Sequence, residues 1–351
     1  MYSLVSLFSG LIFAVAGVHI SIKLARSLRI LDFPGEIKIH KEPTPRFGGL
    51  GLVIGTLFSF LMVALVAGLL GKEVASILSG SLFMAITGAV DDIYSIKPLH
   101  KLMGQLASGV TFVIMFFMSL NGHFLSSFFH LITAVAIVLF ISFMSNSLNL
   151  LDGMDGLAAG TTLIMAVFFS VLAFLQGKPE MGILLGALIG ACLGFLVYNK
   201  PPAKTFMGDI GSLFLGYIIA VTALELVFYS SVSPSMILSI ILILIVPIID
   251  TCLAIIRRVK GHMDILSGDR FHLYDCIYRL FNGSIWKTLG VMWGITFISG
   301  LIGIVVFFSN PTIGFILSVI FGLGMFIFAL KIGALNNSVR ISRGSDVNIG
   351  V

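Results

Sequence analysis

The chain has 351 residues, 58% of them hydrophobic and only 11% charged, against about one quarter charged in soluble domains. A mean hydropathy of +1.11, with 31 Phe and 38 Gly, excludes a soluble globular protein and fits helices that face lipid and approach one another closely. The net charge is +5, and Cys192, Cys252 and Cys276 show neither CxxC nor metal spacing, so no disulfide framework is implied.

A spanning helix needs about 20 mostly apolar residues, and the apolar runs predict eleven, at 3–24, 49–70, 74–92, 101–120, 130–149, 157–176, 180–198, 210–229, 235–256, 285–308 and 312–334. The first has no basic segment before it and is too long for a signal-peptide core, so it reads as a span. An odd number of spans puts the termini on opposite sides. With the N-terminus outside, all but Lys72 and Lys178 of the 21 Lys and Arg lie in or beside the inner segments 25–48, 91–101, 150–156, 199–209, 257–287 and the C-terminal tail. The positive-inside rule therefore predicts an N-out, C-in, all-α polytopic protein with a basic cytoplasmic face beside anionic lipid and no need of a nucleic acid partner. One membrane domain covers 1–335, its longest polar loop running from Arg257 to Lys287. The tail 336–351 is polar and expected to be disordered.

The acidic residues were not used to draw these spans, and they converge. Asp91 and Asp92 close the third span, Asp152 and Asp155 follow the fifth in "NSLNLLDGMDGLAAG", and Asp209 opens the eighth in "FMGDIGSLFLG". All fall at the predicted cytoplasmic boundary. Adjacent carboxylates such as Asp91 and Asp92 call for a cation or a base nearby, and Lys97 and Lys101 follow them. Gly153 and Gly156 permit close approach of a ligand. In "GDIGS" an acid sits where helix N–H groups favour an anion. Oxygen donors without cysteine suit Mg²⁺ or Mn²⁺ better than zinc. A basic-rimmed, acid-lined membrane site points to a metal-bound phosphate substrate, a nucleotide diphosphate above all.

At these residues the chain resembles the polyprenyl-phosphate N-acetylhexosamine-1-phosphate transferase superfamily, most closely its WecA/TagO-type branch and more distantly MraY. The matching pieces are "PTPRFGGL" (43–50), "DDIYSIKPLHKLMGQ" (91–105), "NSLNLLDGMDGLAAG" (146–160), "FMGDIGSLFLG" (206–216), "PIIDTCLAIIRR" (247–258) and "GDRFHL" (268–273), in the family's order. The resemblance implies an MraY-like fold. It implies transfer of a sugar 1-phosphate, GlcNAc 1-phosphate foremost, from a UDP-sugar to undecaprenyl phosphate on the cytoplasmic face of the plasma membrane, with Mg²⁺ and release of UMP. It also implies a homodimer. Another UDP-N-acetylhexosamine or a UDP-muramyl-peptide stays open as donor. Outside the family, a secondary transporter is the rival reading, against which stand acids gathered at one face and no visible repeat.

Carried over residue by residue, the resemblance makes Asp209 the metal ligand and Asn149 a holder of metal and diphosphate. Gly153 and Asp155 contact the uridine, and Asp152 orients their loop. Lys101 binds the diphosphate, and Asp91 and Asp92 serve as base or lipid-phosphate positioners. Arg270 and His272 clamp the phosphates and read the sugar. Arg46 pairs a phosphate or only anchors the inner face. One departure stands out: relatives in this branch commonly carry "HLHH"-like histidines in that loop, whereas here the text is "HLYD", with Tyr274 and Asp275. His40 lies near the lipid phosphate or is a solvated loop residue. Asp250, inside the ninth span, is a functional acid or a structural ion pair at the loop base. Glu225 is roughly 24 Å of helix from Asp209 at about 1.5 Å per residue, and no catalytic part is expected of it.

Overall fold

A computed structural model of the chain describes residues 1–33, 42–119, 128–229, 233–265 and 269–335; His40 and the tail 336–351 lie outside them. Among the described residues, ten helices are long and apolar enough to cross a membrane, and a bent pair makes up to eleven.

The first eight helices are α1 (Tyr2–Ser27), α2 (Gly49–Val66), α3 (Lys72–Tyr94), α4 (Pro98–Ser119), α5 (Phe128–Leu151), α6 (Leu157–Leu175), α7 (Pro179–Asn199) and α8 (Gly208–Tyr229). Their starts follow sequence chemistry. Pro179 opens α7 at a position where its missing N–H costs nothing. Ser95, in the left-handed region at φ 49°, ends α3 just after the Asp91–Asp92 pair. Between α1 and α2 a two-residue strand β1 (Leu31–Asp32) pairs antiparallel with β2 (Thr44–Pro45), Leu31 opposite Pro45 and Asp32 opposite Thr44.

The ninth predicted span is the exception. The structure breaks it into α9 (Pro234–Ile243) and α10 (Ile245–Lys260), which meet at 71°. Pro247 cannot donate to the carbonyl four residues back, and its ring crowds that same carbonyl at Ile243, so the helix stops there. The long polar loop read from Arg257 to Lys287 contains a short helix, α11 (Leu273–Leu280). Two more spans follow, α12 (Ile285–Phe308) and α13 (Pro311–Lys331). Asn310 caps α13, its side chain accepting from the Ile313 N–H at 2.9 Å.

α8 lies at the centre, 89% of its apolar window buried, against α2, α3, α5, α6 and α9. Small residues bring its neighbours to backbone contact. A methyl group on Gly88 of α3 would collide with the backbone of Asp209 and Ile210, and one on Gly49 of α2 with that of Gly211. Such contacts, worth little as hydrophobic area, are the close approaches that drive helix association in lipid. They fix the start of α8 against the end of α3, one helical turn before Asp92.

Candidate active site

One cleft of about 1210 Å³ opens where five segments meet: the end of α1, the β2 turn, the α5–α6 loop, the α7–α8 loop and the approach to α12. Of the residues singled out in the sequence, Arg46, Asn149, Asp152, Gly153, Asp155, Asp209 and Arg270 line it.

Asp209, in the first turn of α8, is its electrostatic centre. Lys101 Nζ contacts its Oδ2, Asn149 Nδ2 donates to its Oδ1 at 2.9 Å, and Arg46 Nη2 stands 3.4 Å from that same oxygen. Asn149 is held on both sides. It also donates to Ser212 Oγ at 2.9 Å, and its Oδ1 lies 3.3 Å from Lys101 Nζ. Ser212 follows Asp209 by three residues and so shares its helix face. Arg46 loses some stabilisation of its charge to burial, but Asp92, then Asp209, Asp32 and Asp152, more than restore it.

The acidic pair at the end of α3 divides its work. Asp91 faces Lys101, 3.4 Å from its Nζ. Asp92 is 9% exposed and turns inward, accepting from the backbone N–H groups of Asp209 and Ile210 at 2.9 Å each. Arg46 Nε completes its surroundings at 3.4 Å. A carboxylate at a helix N-terminus satisfies orphan N–H groups and meets the positive end of the dipole.

In the α5–α6 loop the two aspartates also differ. Asp155 Oδ2 accepts from the Ala203 N–H at 2.9 Å and ties this loop to the α7–α8 loop. Asp152 has no side-chain hydrogen bond or ion pair among the described residues, although it lines the cleft. Burial pushes its carboxyl well above the ordinary carboxylate range, with Asp209 adding to the shift and Arg46 opposing it.

His272 lies elsewhere. It is 3% exposed and does not line the cleft. Its Nδ1 meets Asp250 Oδ2 at 2.7 Å, and the other Asp250 oxygen accepts from the Leu273 N–H at 2.7 Å. Asp250 thus holds the loop base through His272 and Leu273 and makes no pair with Arg257. Arg257 instead pairs with Asp269, through Nε to Oδ2 at 3.1 Å and Nη2 to Oδ1 at 2.5 Å, and donates to the Phe271 and Ala334 carbonyls. Arg270 lines the cleft with Asp275 behind it, 3.8 Å away.

Sequence reasoning missed Asn199 and Thr205. Asn199, 3% exposed, accepts from the Gly156 N–H and donates to the Thr205 carbonyl, both at 2.9 Å. The Thr205 hydroxyl and the Phe206 N–H both donate to the Pro45 carbonyl at 2.8 Å. The only signal was an amide side chain at the end of an apolar helix, directly before "KPP".

The fold is thus a helical membrane protein with a cleft in which basic and acidic side chains gather around one helix-start aspartate. Comparison with known proteins agrees. The profile of glycosyl transferase family 4 matches residues 74–227. A probable undecaprenyl-phosphate N-acetylglucosaminyl 1-phosphate transferase of Bacillus subtilis is 35% identical over 345 residues, 96% of this chain and 93% of that protein. A decaprenyl-phosphate N-acetylglucosaminephosphotransferase of Mycolicibacterium smegmatis is 29% identical over 292 residues, 73% of this chain and 70% of its own. A phospho-N-acetylmuramoyl-pentapeptide-transferase of Staphylococcus aureus is 32% identical over 297 residues, 76% and 86% respectively. The chain belongs to glycosyl transferase family 4.

Proposed function

We propose that this protein transfers a sugar 1-phosphate, GlcNAc 1-phosphate first among candidates, from a UDP-sugar to undecaprenyl phosphate at the cytoplasmic face of the plasma membrane. The observation that carries this reading is Asp209 at the start of α8, which lines the cleft with Arg46 and Asn149 and is met from α4 by Lys101. The near full-length similarity to the Bacillus subtilis protein supports the choice of sugar and lipid.

In the proposed step an oxygen of the lipid phosphate attacks the β-phosphorus of the donor. The bond from that phosphorus to the bridging oxygen breaks, and UMP leaves with the electron pair. Positioning and charge stabilisation supply most of the catalysis in phosphoryl transfer. Lys101 and Arg46 supply positive charge where the diphosphate would lie. Asp155 and Gly153 offer the uridine a wall, and Arg270 stands at the mouth for the sugar phosphate. Asp92 acts as a positioning residue, because both of its oxygens are engaged by the backbone that carries Asp209.

Mg²⁺ fits this site by its donors. Asp209, Asn149 and Asp152 would offer oxygen donors from the cleft wall, and among the described residues no group of three His, Cys, Asp or Glu is arranged to hold a metal alone. That suits an ion that takes one or two carboxylates and completes its shell with substrate phosphates and water. When bound, it would neutralise charge on the diphosphate.

Purified protein given a panel of UDP-sugars, undecaprenyl phosphate and Mg²⁺ should release UMP with UDP-GlcNAc. Release only with a UDP-muramyl-peptide would replace the donor, and no release with any donor would overturn the reading. A C-terminal reporter active only in the cytoplasm checks the N-out, C-in orientation, and mass measurement in detergent checks the homodimer.

A further inference from the structure

Among the described residues between α10 and α11, Arg270 alone lines the cleft, and the chain on both sides of it is pinned. Asp269, just before it, is held by Arg257 and Arg258 and accepts from the Phe271 N–H at 3.2 Å. Phe271, just after it, gives its carbonyl to Arg257 Nη1 at 3.0 Å, and its ring lies 4.8 Å from the Arg279 guanidinium. The Arg270 carbonyl itself accepts from Arg279 Nη1 at 2.9 Å. The backbone of Arg270 is therefore set, and only its long side chain is left to be aimed.

Asp275, in the first turn of α11, stands behind that side chain, its Oδ1 3.8 Å from Arg270 Nη1. The three acids of this region differ in what they do for the fold. Asp250 takes a backbone N–H and the His272 ring, and Asp269 takes a backbone N–H and two arginines. Asp275 takes no hydrogen bond among the described residues, and its Oδ2 is buried without a partner. Burial raises its carboxyl above the ordinary range, and His272, Arg270 and Arg279 oppose the rise. A buried carboxylate oxygen left unmet costs stability, so the fold alone gives no reason for an acid here. Its ion pair with a residue of the cleft wall does.

We propose that Asp275 is a positioning residue, which from behind the cleft wall keeps the Arg270 guanidinium turned toward the sugar phosphate of the donor. This rests on the reading of the cleft as a UDP-sugar site. A guanidinium that is already oriented loses less freedom when it meets an oxyanion. The gain therefore falls on the sugar-phosphate end of the donor and not on the uridine end, which the α5–α6 loop lines.

The test is a double-mutant cycle on the full-length protein in detergent, comparing wild type, Asp275→Asn, Arg270→Gln and the double variant. The probes are direct binding of UDP-GlcNAc and of UMP. Asp275→Asn keeps the volume and removes the charge. It should raise the Kd for UDP-GlcNAc by about three- to tenfold and leave the Kd for UMP unchanged. In the Arg270→Gln background the same substitution should change neither. An equal loss in both backgrounds overturns the proposal, because Asp275 would then act without Arg270. A parallel loss of UMP affinity overturns it too, since a merely structural acid would loosen the whole cleft, and so does an unchanged Kd for UDP-GlcNAc in Asp275→Asn. Failure of the functional reading looks different: the wild type itself then binds no UDP-GlcNAc and releases no UMP from any donor, and the proposal falls with it.

Discussion

Asp92 and Asp209 lie 117 residues apart in the chain and meet through a main-chain bond, the Asp209 N–H donating to Asp92 Oδ1 at 2.9 Å. One acid thus holds the backbone from which the other projects into the cleft. Asp92→Ala should lower stability by about 0.5–2 kcal/mol, the loss of a helix cap, and lower transfer with it. Asp209→Ala should keep the folded protein and lose transfer by at least about 10²-fold. Thermal melting and UMP release on the same preparations check both. Intact transfer in Asp209→Ala would remove it from the site.

Metal dependence follows from Asp209 and Asn149. Chelation should stop transfer and added Mg²⁺ restore it, with Mn²⁺ a workable substitute. Asn149→Ala should raise the Mg²⁺ concentration needed for half-maximal rate. Full activity in excess chelator would end the metal assignment.

Lys101 touches both Asp91 and Asp209, so its loss leaves two carboxylates facing each other without their shared cation. Lys101→Met should weaken donor binding and slow transfer, by about 10²-fold or more in kcat/KM. Asp91→Asn should be milder, because Asp209 keeps Lys101. Kinetics on both variants would show a reversed order if Asp91 were the central acid.

Stability should carry a signature of His272. Burial alone would lower its pKa, but Asp250, then Asp269 and Asp275, outweigh burial and raise it. A raised folded-state value means the protonated imidazole stabilises fully below the unfolded pKa of about 6.5, and that contribution fades as pH climbs through the folded value. The wild-type Tm should therefore fall more than that of His272→Gln as pH rises from about 6 to about 9. Parallel curves would show that the histidine stays neutral.

Asn199→Ala should cost stability out of proportion to its size. It strands the Gly156 N–H and the Thr205 carbonyl, at about 1–3 kcal/mol for each buried group left unpaired. Donor KM should rise as the two loops separate, and a melt plus a KM measurement check it.

Most of the architecture could be read from apolar runs, because lipid forces each span to satisfy its own backbone. Pro247 was the visible sign of the break at Leu244, lost within an unbroken apolar stretch. The site acids were legible because charge at the membrane boundary is rare. Their separate tasks were not, since Asp91 and Asp92, or Asp152 and Asp155, look alike until backbone partners are known. His272 read as a cleft residue for the same reason: the sequence carries no trace of Asp250 folding back to seize its ring.

The stitching of the β2 turn to the α7–α8 loop bears on how the molecule is made. Pro45 accepts from Thr205 and Phe206, while the N–H groups of Gly48 and Gly49 donate to the Phe206 and Met207 carbonyls at 2.9 Å. A ribosome delivers the first partner some 160 residues before the second, which at about 5–20 residues per second leaves the β2 turn waiting for many seconds. Until α8 is inserted, the floor of the cleft has no second half. A chain truncated before α8 should therefore reach the membrane yet be exposed to proteolysis at this turn, and the finished enzyme is born late, when its central helix arrives.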